Sequence, residues 1–96
     1  MFYLGIDVAK AKIDCCLILE NSANKKKTKT FSNTPKGFEQ LQIWLNQHAA
    51  TSTQTIILME ATSIYHELLA KYLFDEGYQV SVTNPARARY FAQSMS

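Results

Sequence analysis

Two stretches of strict alternation, joined by a short polar link, constrain this chain more than any other feature. Phe2, Leu4, Ile6 and Val8 occupy one side of a period-2 pattern, with Tyr3, Gly5 and Asp7 on the other. Ile13, Cys15, Leu17 and Leu19 alternate in the same way with Asp14, Cys16, Ile18 and Glu20. Successive side chains of a strand point to opposite faces, so each stretch reads as a strand. The link at residues 9–11 favours a hairpin, with the second strand antiparallel to the first.

The rest of the chain changes period in step with its punctuation. Asn21 to Lys27 is polar and turn-rich, and Thr28-Lys29-Thr30-Phe31 reads as a third, edge-like strand whose lysines suit an exposed edge. Asn33-Thr34-Pro35 is a helix start, with Thr34 as cap and Pro35 in the first turn, where a missing N–H does no harm. Phe38, Leu41, Trp44, Leu45 and His48 follow at helical spacing and predict a helix from Pro35 to Ala49. Thr55 to Glu60 is a nearly unbroken apolar run of strand length, the pattern of a central strand covered on both faces. Thr62 or Ser63 can cap a second helix with the stripe Tyr65, Leu68, Leu69, Tyr72 and Leu73, ended by Gly77. Tyr78, Val80 and Val82 alternate as a fifth strand, and Asn84-Pro85 starts a third helix over 86–93. A hairpin and edge strand followed by alternating helices and strands predict an α/β fold with a mixed sheet, its first three strands antiparallel.

A chain of 96 residues, 47% hydrophobic and 19% charged, suits one domain with one core. No apolar run approaches the ~18 residues of a membrane span, and the start lacks the pattern of a signal peptide. The expectation is a cytoplasmic protein without a membrane partner. Cys15 and Cys16 are the only cysteines, and side chains adjacent in a strand neither pair readily nor match a zinc spacing. The net charge of +2 is small but unevenly placed. Lys25, Lys26, Lys27 and Lys29 cluster at what reads as a hairpin tip, and Arg87 and Arg89 lie in a last segment without acids.

Asp7 and Glu60 stand out because each is a carboxylate where a strand should be buried. An ionised carboxylate is rarely left unpaired in a core, so a partner or a metal ion is expected. Two such acids on neighbouring strands point to a metal site. Three ordered motifs carry a more specific resemblance: Leu4-Gly5-Ile6-Asp7-Val8-Ala9-Lys10 with Ile13-Asp14, then Met59-Glu60-Ala61-Thr62-Ser63-Ile64-Tyr65-His66, then Val82 to Ala92 with its Asn84-Pro85-Ala86-Arg87-Ala88-Arg89 core. Together they resemble the N-terminal domain of the DEDD transposases of bacterial insertion sequences, the insertion sequence 110 type that includes the Piv-like DNA invertases.

The resemblance implies a ribonuclease H-like (RuvC-like) fold, in which the fourth strand lies parallel beside the first and brings acids on both together. It further implies a tetrad of acids holding divalent metal, Mg2+ or Mn2+, of which Asp7 matches the first aspartate and Glu60 the glutamate. The other two have no counterpart before Ser96, nor has the family's C-terminal serine-bearing domain, so the chain reads as the first part of a longer protein. The implied partners are DNA, in some relatives a guide RNA, and further copies of the protein. Clustered carboxylates suit the chemistry, since paired Mg2+ ions about 4 Å apart stabilise both the attacking and the leaving oxygen of a phosphodiester. Asp14 and His66 are weaker candidates, read as sheet-surface and helix-capping residues, while His48 complements a helix end. Arg87, Arg89 and the Lys25–Lys27 cluster are candidate phosphate contacts. Two other classes compete. An actin-like or sugar-kinase ATPase shares the Gly5-Ile6-Asp7 start but needs glycine in the turn, where this chain has Val8-Ala9-Lys10-Ala11-Lys12. A non-catalytic nucleic-acid or protein-binding module would keep the surface without the chemistry.

Overall fold

Every other strand takes its place from β1 (Phe2–Val8), which lies at the centre of a five-stranded sheet. The computed structural model describes residues 1–19, 25–61 and 64–83. β2 (Lys12–Leu19) returns antiparallel to β1, and the turn between them is closed by the Ala9 amide donating to the Lys12 carbonyl at 2.9 Å. β3 (Lys26–Ser32) adds antiparallel to β2. After helix α1 (Pro35–Gln47) the chain enters β4 (Thr55–Ala61), parallel to β1 on its other side. A short 3-10 turn (Ile64–His66), helix α2 (Glu67–Asp75) and β5 (Gln79–Thr83), parallel to β4, complete the order β3-β2-β1-β4-β5. The expected mixed sheet with three antiparallel leading strands is therefore present.

The local chemistry explains the element boundaries. Thr34 is extended (φ −143°) and its hydroxyl accepts from the Gly37 amide at 3.1 Å, with Pro35 in the first turn. A Cβ at Gly37 would lie 1.9 Å from the Ser32 carbonyl oxygen, so only glycine lets α1 start this close to the end of β3. The helix stops at Gln47, two residues before the expected Ala49, which turns left-handed (φ 60°) instead. Gly77 ends α2 with φ 90°, as expected of a left-handed terminator.

Both helices pack on one face of the sheet and share one core. Leu4, Ile6 and Val8 of β1, Ile13, Cys15 and Leu17 of β2, and Ile57 and Met59 of β4 meet Phe38, Leu41, Trp44 and Leu45 of α1 and Leu69 and Leu73 of α2. Each aliphatic side chain fully buried there stabilises the fold by ~1.5–3 kcal/mol before chain entropy is counted. Phe31 meets Trp44 edge-on at 5.7 Å, and Tyr72 donates to the Gln42 Oε1 at 2.6 Å across the helix layer. Thr55 is the polar exception, its hydroxyl buried with no hydrogen-bond partner among the described residues.

Three expectations need correction. β4 is covered on one face only among the described residues: Ile57 is 0% exposed but its neighbour Leu58 is 52% exposed. β3 begins at Lys26, so Lys26 and Lys27 belong to an edge strand and not to a hairpin tip. The second helical stripe is shorter than its sequence pattern, because Tyr65 lies in the 3-10 turn and both it and Leu68 are exposed. The proposed caps Thr62 and Ser63, the Asn84-Pro85 start, the third helix and Arg87 and Arg89 lie outside the described residues. No helix among the described residues is long and apolar enough to cross a membrane.

Candidate metal site at the strand ends

The face away from the helices presents ordered rows of side chains, because residues paired in register share a face. One row runs Lys26, Ile18, Tyr3, Ile56 and Gln79, and the next Thr28, Cys16, Gly5, Leu58 and Ser81. The last row, at the carboxyl ends of the parallel strands, is Thr30, Asp14, Asp7, Glu60 and Thr83. Asp7 and Glu60 are thus direct register partners on the two central parallel strands. This is the sheet edge where α/β proteins usually place their ligands.

Burial does not explain these acids. Both Asp7 and Glu60 are exposed on the open face, contrary to the expectation of buried carboxylates. The alternation that puts Leu4, Ile6 and Val8 under the helices puts Asp7 on the other side, and Glu60 follows the same parity in β4. Their significance lies in adjacency. Neither has a hydrogen-bond or ion-pair partner among the described residues, although like charges directly opposite on neighbouring strands repel.

Asp14 shares the row but is engaged. Thr30 Oγ1 donates to its Oδ1 at 2.6 Å and Lys12 Nζ stands 3.9 Å from its Oδ2. These contacts fit the sheet-surface role read from the sequence. Cys15 is in the core, where burial, reinforced by the charges of Asp14 and Cys16, pushes its thiol up to about 12. Cys16 lies half-buried on the open face, and both thiols are free. Among the described residues no group of three His, Cys, Asp or Glu side chains is close enough to hold a metal ion. Asp7 and Glu60 supply oxygen ligands of the kind Mg2+ and Mn2+ prefer, and two carboxylates with several retained waters fit the habit of Mg2+.

Among the described residues, the candidate lysines are not beside the acids. Lys25 precedes β3, Lys26 lies on the open face, and Lys27 and Lys29 turn towards the helix side, where Lys29 Nζ is 5.7 Å from the Phe31 ring centre. Four residues along a strand and two strands across separate Lys26 from Asp7 by ~16 Å, beyond the reach of direct charge pairing. The turn residue His66 lies in the segment that follows β4. His48 is at the end of α1, edge-on to Trp44 at 5.4 Å. Sequence patterns missed Asn33, read only as part of a helix start. Its carboxamide bridges the β1–β2 turn and the 3-10 turn, a pairing across 24 and 32 residues that no local spacing signals.

A family model described as Transposase, of the DEDD insertion sequence 110 type, matches residues 4–96. The chain belongs to this transposase family. Among its relatives, the pilin gene-inverting proteins of Moraxella bovis and Moraxella lacunata are each 33% identical to it over 93 residues. Each match covers 97% of this chain and 28% of the relative, so the chain spans a little over a quarter of their length. Two solved structures resemble it at 12% identity. An exopolyphosphatase from Cytophaga hutchinsonii superposes with a TM-score of 0.57 over 91% of this chain and 35% of its own. T. thermophilus RuvC, solved in complex with a Holliday junction substrate, gives 0.52 over 94% and 68%. At such identity the two share the ribonuclease H-like fold with this transposase-family chain, and their different names show that fold alone does not select a reaction.

Proposed function

We propose that this chain is the N-terminal catalytic part of a DNA transposase or recombinase, and that Asp7 and Glu60 bind divalent metal for strand cleavage and rejoining in transposition or inversion. One observation carries the reading: two carboxylates, register partners on adjacent parallel strands, stand exposed on one face without a partner among the described residues. Membership of the transposase family, and relatives named for inverting a pilin gene, support DNA as the substrate. Asp7, on the central strand, would hold metal from the middle of the row, and Glu60 would hold it or orient a metal-bound water from the side. Bound Mg2+ or Mn2+ would supply charge stabilisation for the attacking and leaving oxygens. Two acids alone form an incomplete set, so this length of chain should bind metal weakly and turn over no substrate by itself.

Lys25, Lys26 and Lys27 on one flank would hold phosphates of DNA or of a guide RNA away from the acids, and Arg87 and Arg89, which follow β5 in the sequence, would hold phosphates nearer to them. Their neutralisation should reduce binding and its salt dependence together. Self-association of the complete protein and a cytoplasmic location belong to the same proposal. The test is made in a full-length protein carrying this domain. Asp7→Asn and Glu60→Gln should each leave DNA binding in place and lower strand cleavage by ~10²-fold or more, the scale of losing several kcal/mol of metal-borne stabilisation. Cleavage retained in both variants would exclude these acids as the metal ligands.

A further inference from the structure

Asn33 ties together the segments that follow the two acid-bearing strands. Its Nδ2 is 2.9 Å from the Ala9 carbonyl oxygen and 2.9 Å from the Tyr65 carbonyl oxygen. Ala9 follows Asp7 by two residues at the end of β1, and Tyr65 follows Glu60 by five beyond the end of β4. The Asn33 backbone amide adds a third hold, donating to the Ala11 carbonyl at 3.0 Å. Both side-chain contacts are to carbonyl oxygens, which only accept, so the carboxamide nitrogen must face them and each of its hydrogens has its own acceptor.

The segment around Asn33 is itself tied down by hydrogen bonds. Ser32 and Thr34, its neighbours, share a hydrogen bond between hydroxyls at 2.8 Å, and Thr34 caps α1 through Gly37. Gly37 in turn approaches the Ser32 carbonyl so closely that a Cβ there would lie 1.9 Å from its oxygen. Asp7 and Glu60, by contrast, sit in the penultimate register pair of the β1–β4 ladder, one step from its last pair, Val8 and Ala61. Ladder ends open most readily, and mutual repulsion of two carboxylates adds to that tendency.

We infer that Asn33 is a positioning residue that holds the Asp7 and Glu60 strand ends at a fixed separation by donating one carboxamide hydrogen to each side. The inference rests on the metal-site reading proposed above. It assigns to the start of α1 a part in the site that neither acid nor helix cap reveals, and it fits the rule that outer partners orient metal ligands.

The test uses Mn2+ alone, titrated into the labelled 96-residue chain and followed by NMR. Asn33→Ala should weaken Mn2+ binding by ~3–10-fold, at the lower end of outer-partner effects, and should move amide resonances on both sides of the tie, at Ala9–Ala11 and at Ile64–His66. Asn33→Asp keeps the shape, removes both donors and adds a negative charge nearby. A field effect alone would tighten Mn2+ in that variant, whereas loss of the tie weakens it. Tyr72→Phe, which removes a hydrogen bond in the helix layer, serves as the stability control and should leave Mn2+ affinity unchanged. Equal weakening in Asn33→Ala and Tyr72→Phe, or wild-type affinity in Asn33→Ala, overturns the inference. If the wild-type chain binds no Mn2+, the metal-site reading fails instead. The tie is then decided by the amide resonances, upheld by changes on both sides and overturned by changes confined to one.

Discussion

Ile57 and Leu58 are neighbours in β4 and belong to different chemistries. Ile57 is 0% exposed under the helices, while Leu58 is 52% exposed on the opposite face. The same contrast holds across the sheet. Leu4, Ile6 and Val8 bind the fold together, and Tyr3, Gly5 and Asp7, interleaved with them, contribute little to packing and include the candidate ligand Asp7. One alternating pattern therefore separates the packed core from the candidate site by parity, so the acid row can accept charge repulsion without disturbing the core.

The comparison breaks most sharply at that β4 pair. Ile57→Ala should cost ~2–5 kcal/mol of unfolding free energy, as a cavity in a closed core does. Leu58→Ala should stay within ~0.5 kcal/mol, as for a surface site. Urea unfolding of the two variants measures both, and similar losses would show that Leu58 is covered in solution.

A second pair sharpens the comparison at glycines. Gly37→Ala forces a Cβ to within 1.9 Å of the Ser32 carbonyl and should cost ~1–3 kcal/mol, the range for overpacking. Gly5→Ala on the open face places its Cβ 4.0 Å from the nearest neighbour, the Cys16 carbonyl, and should be neutral or stabilising by a few tenths of a kcal/mol, up to ~1. Equal thermal midpoints for the two would contradict the packing described at the start of α1.

The smallest effect near neutral pH comes from the covered face's titrating groups. The Cys15 thiol is held up to about 12 against an ordinary 9.0, chiefly by burial. Tyr78 and Tyr72 are raised in the same direction by burial, with Glu76 adding to both. The unfolded chain releases these protons first, so the stability these groups contribute is constant below about pH 9 and is lost as pH rises towards 12. Urea midpoints between pH 8 and pH 11 should decline, and Cys15→Val should flatten the decline. An unchanged slope in that variant would assign the alkaline loss to other groups.

Much of this organisation is legible in the sequence because it is local. Alternation places β1 and β2, and Thr34-Pro35 with the Phe38, Leu41, Leu45 stripe places α1. Asp7 and Glu60 could be paired because the family resemblance supplied the strand order that local pattern does not. The run Ile56 to Met59 misled about burial, since apolar residues on an open face look the same as those in a core. Lys26 and Lys27 were hidden as strand residues by their low β-propensity, overridden by pairing with Ile18 and Leu17. Asn33 was unreadable for a different reason: its partners are set by tertiary approach, and its neighbours already explained it as a helix start.

The most direct measurement is an Mn2+ titration of the isotope-labelled chain by NMR, comparing wild type with Asp7→Asn and Glu60→Gln. Paramagnetic broadening centred on Asp7, Glu60 and their register neighbours, lost in either variant, is the predicted result. Broadening that is absent at millimolar Mn2+, or that persists unchanged in both variants, would contradict a metal site built from these two carboxylates.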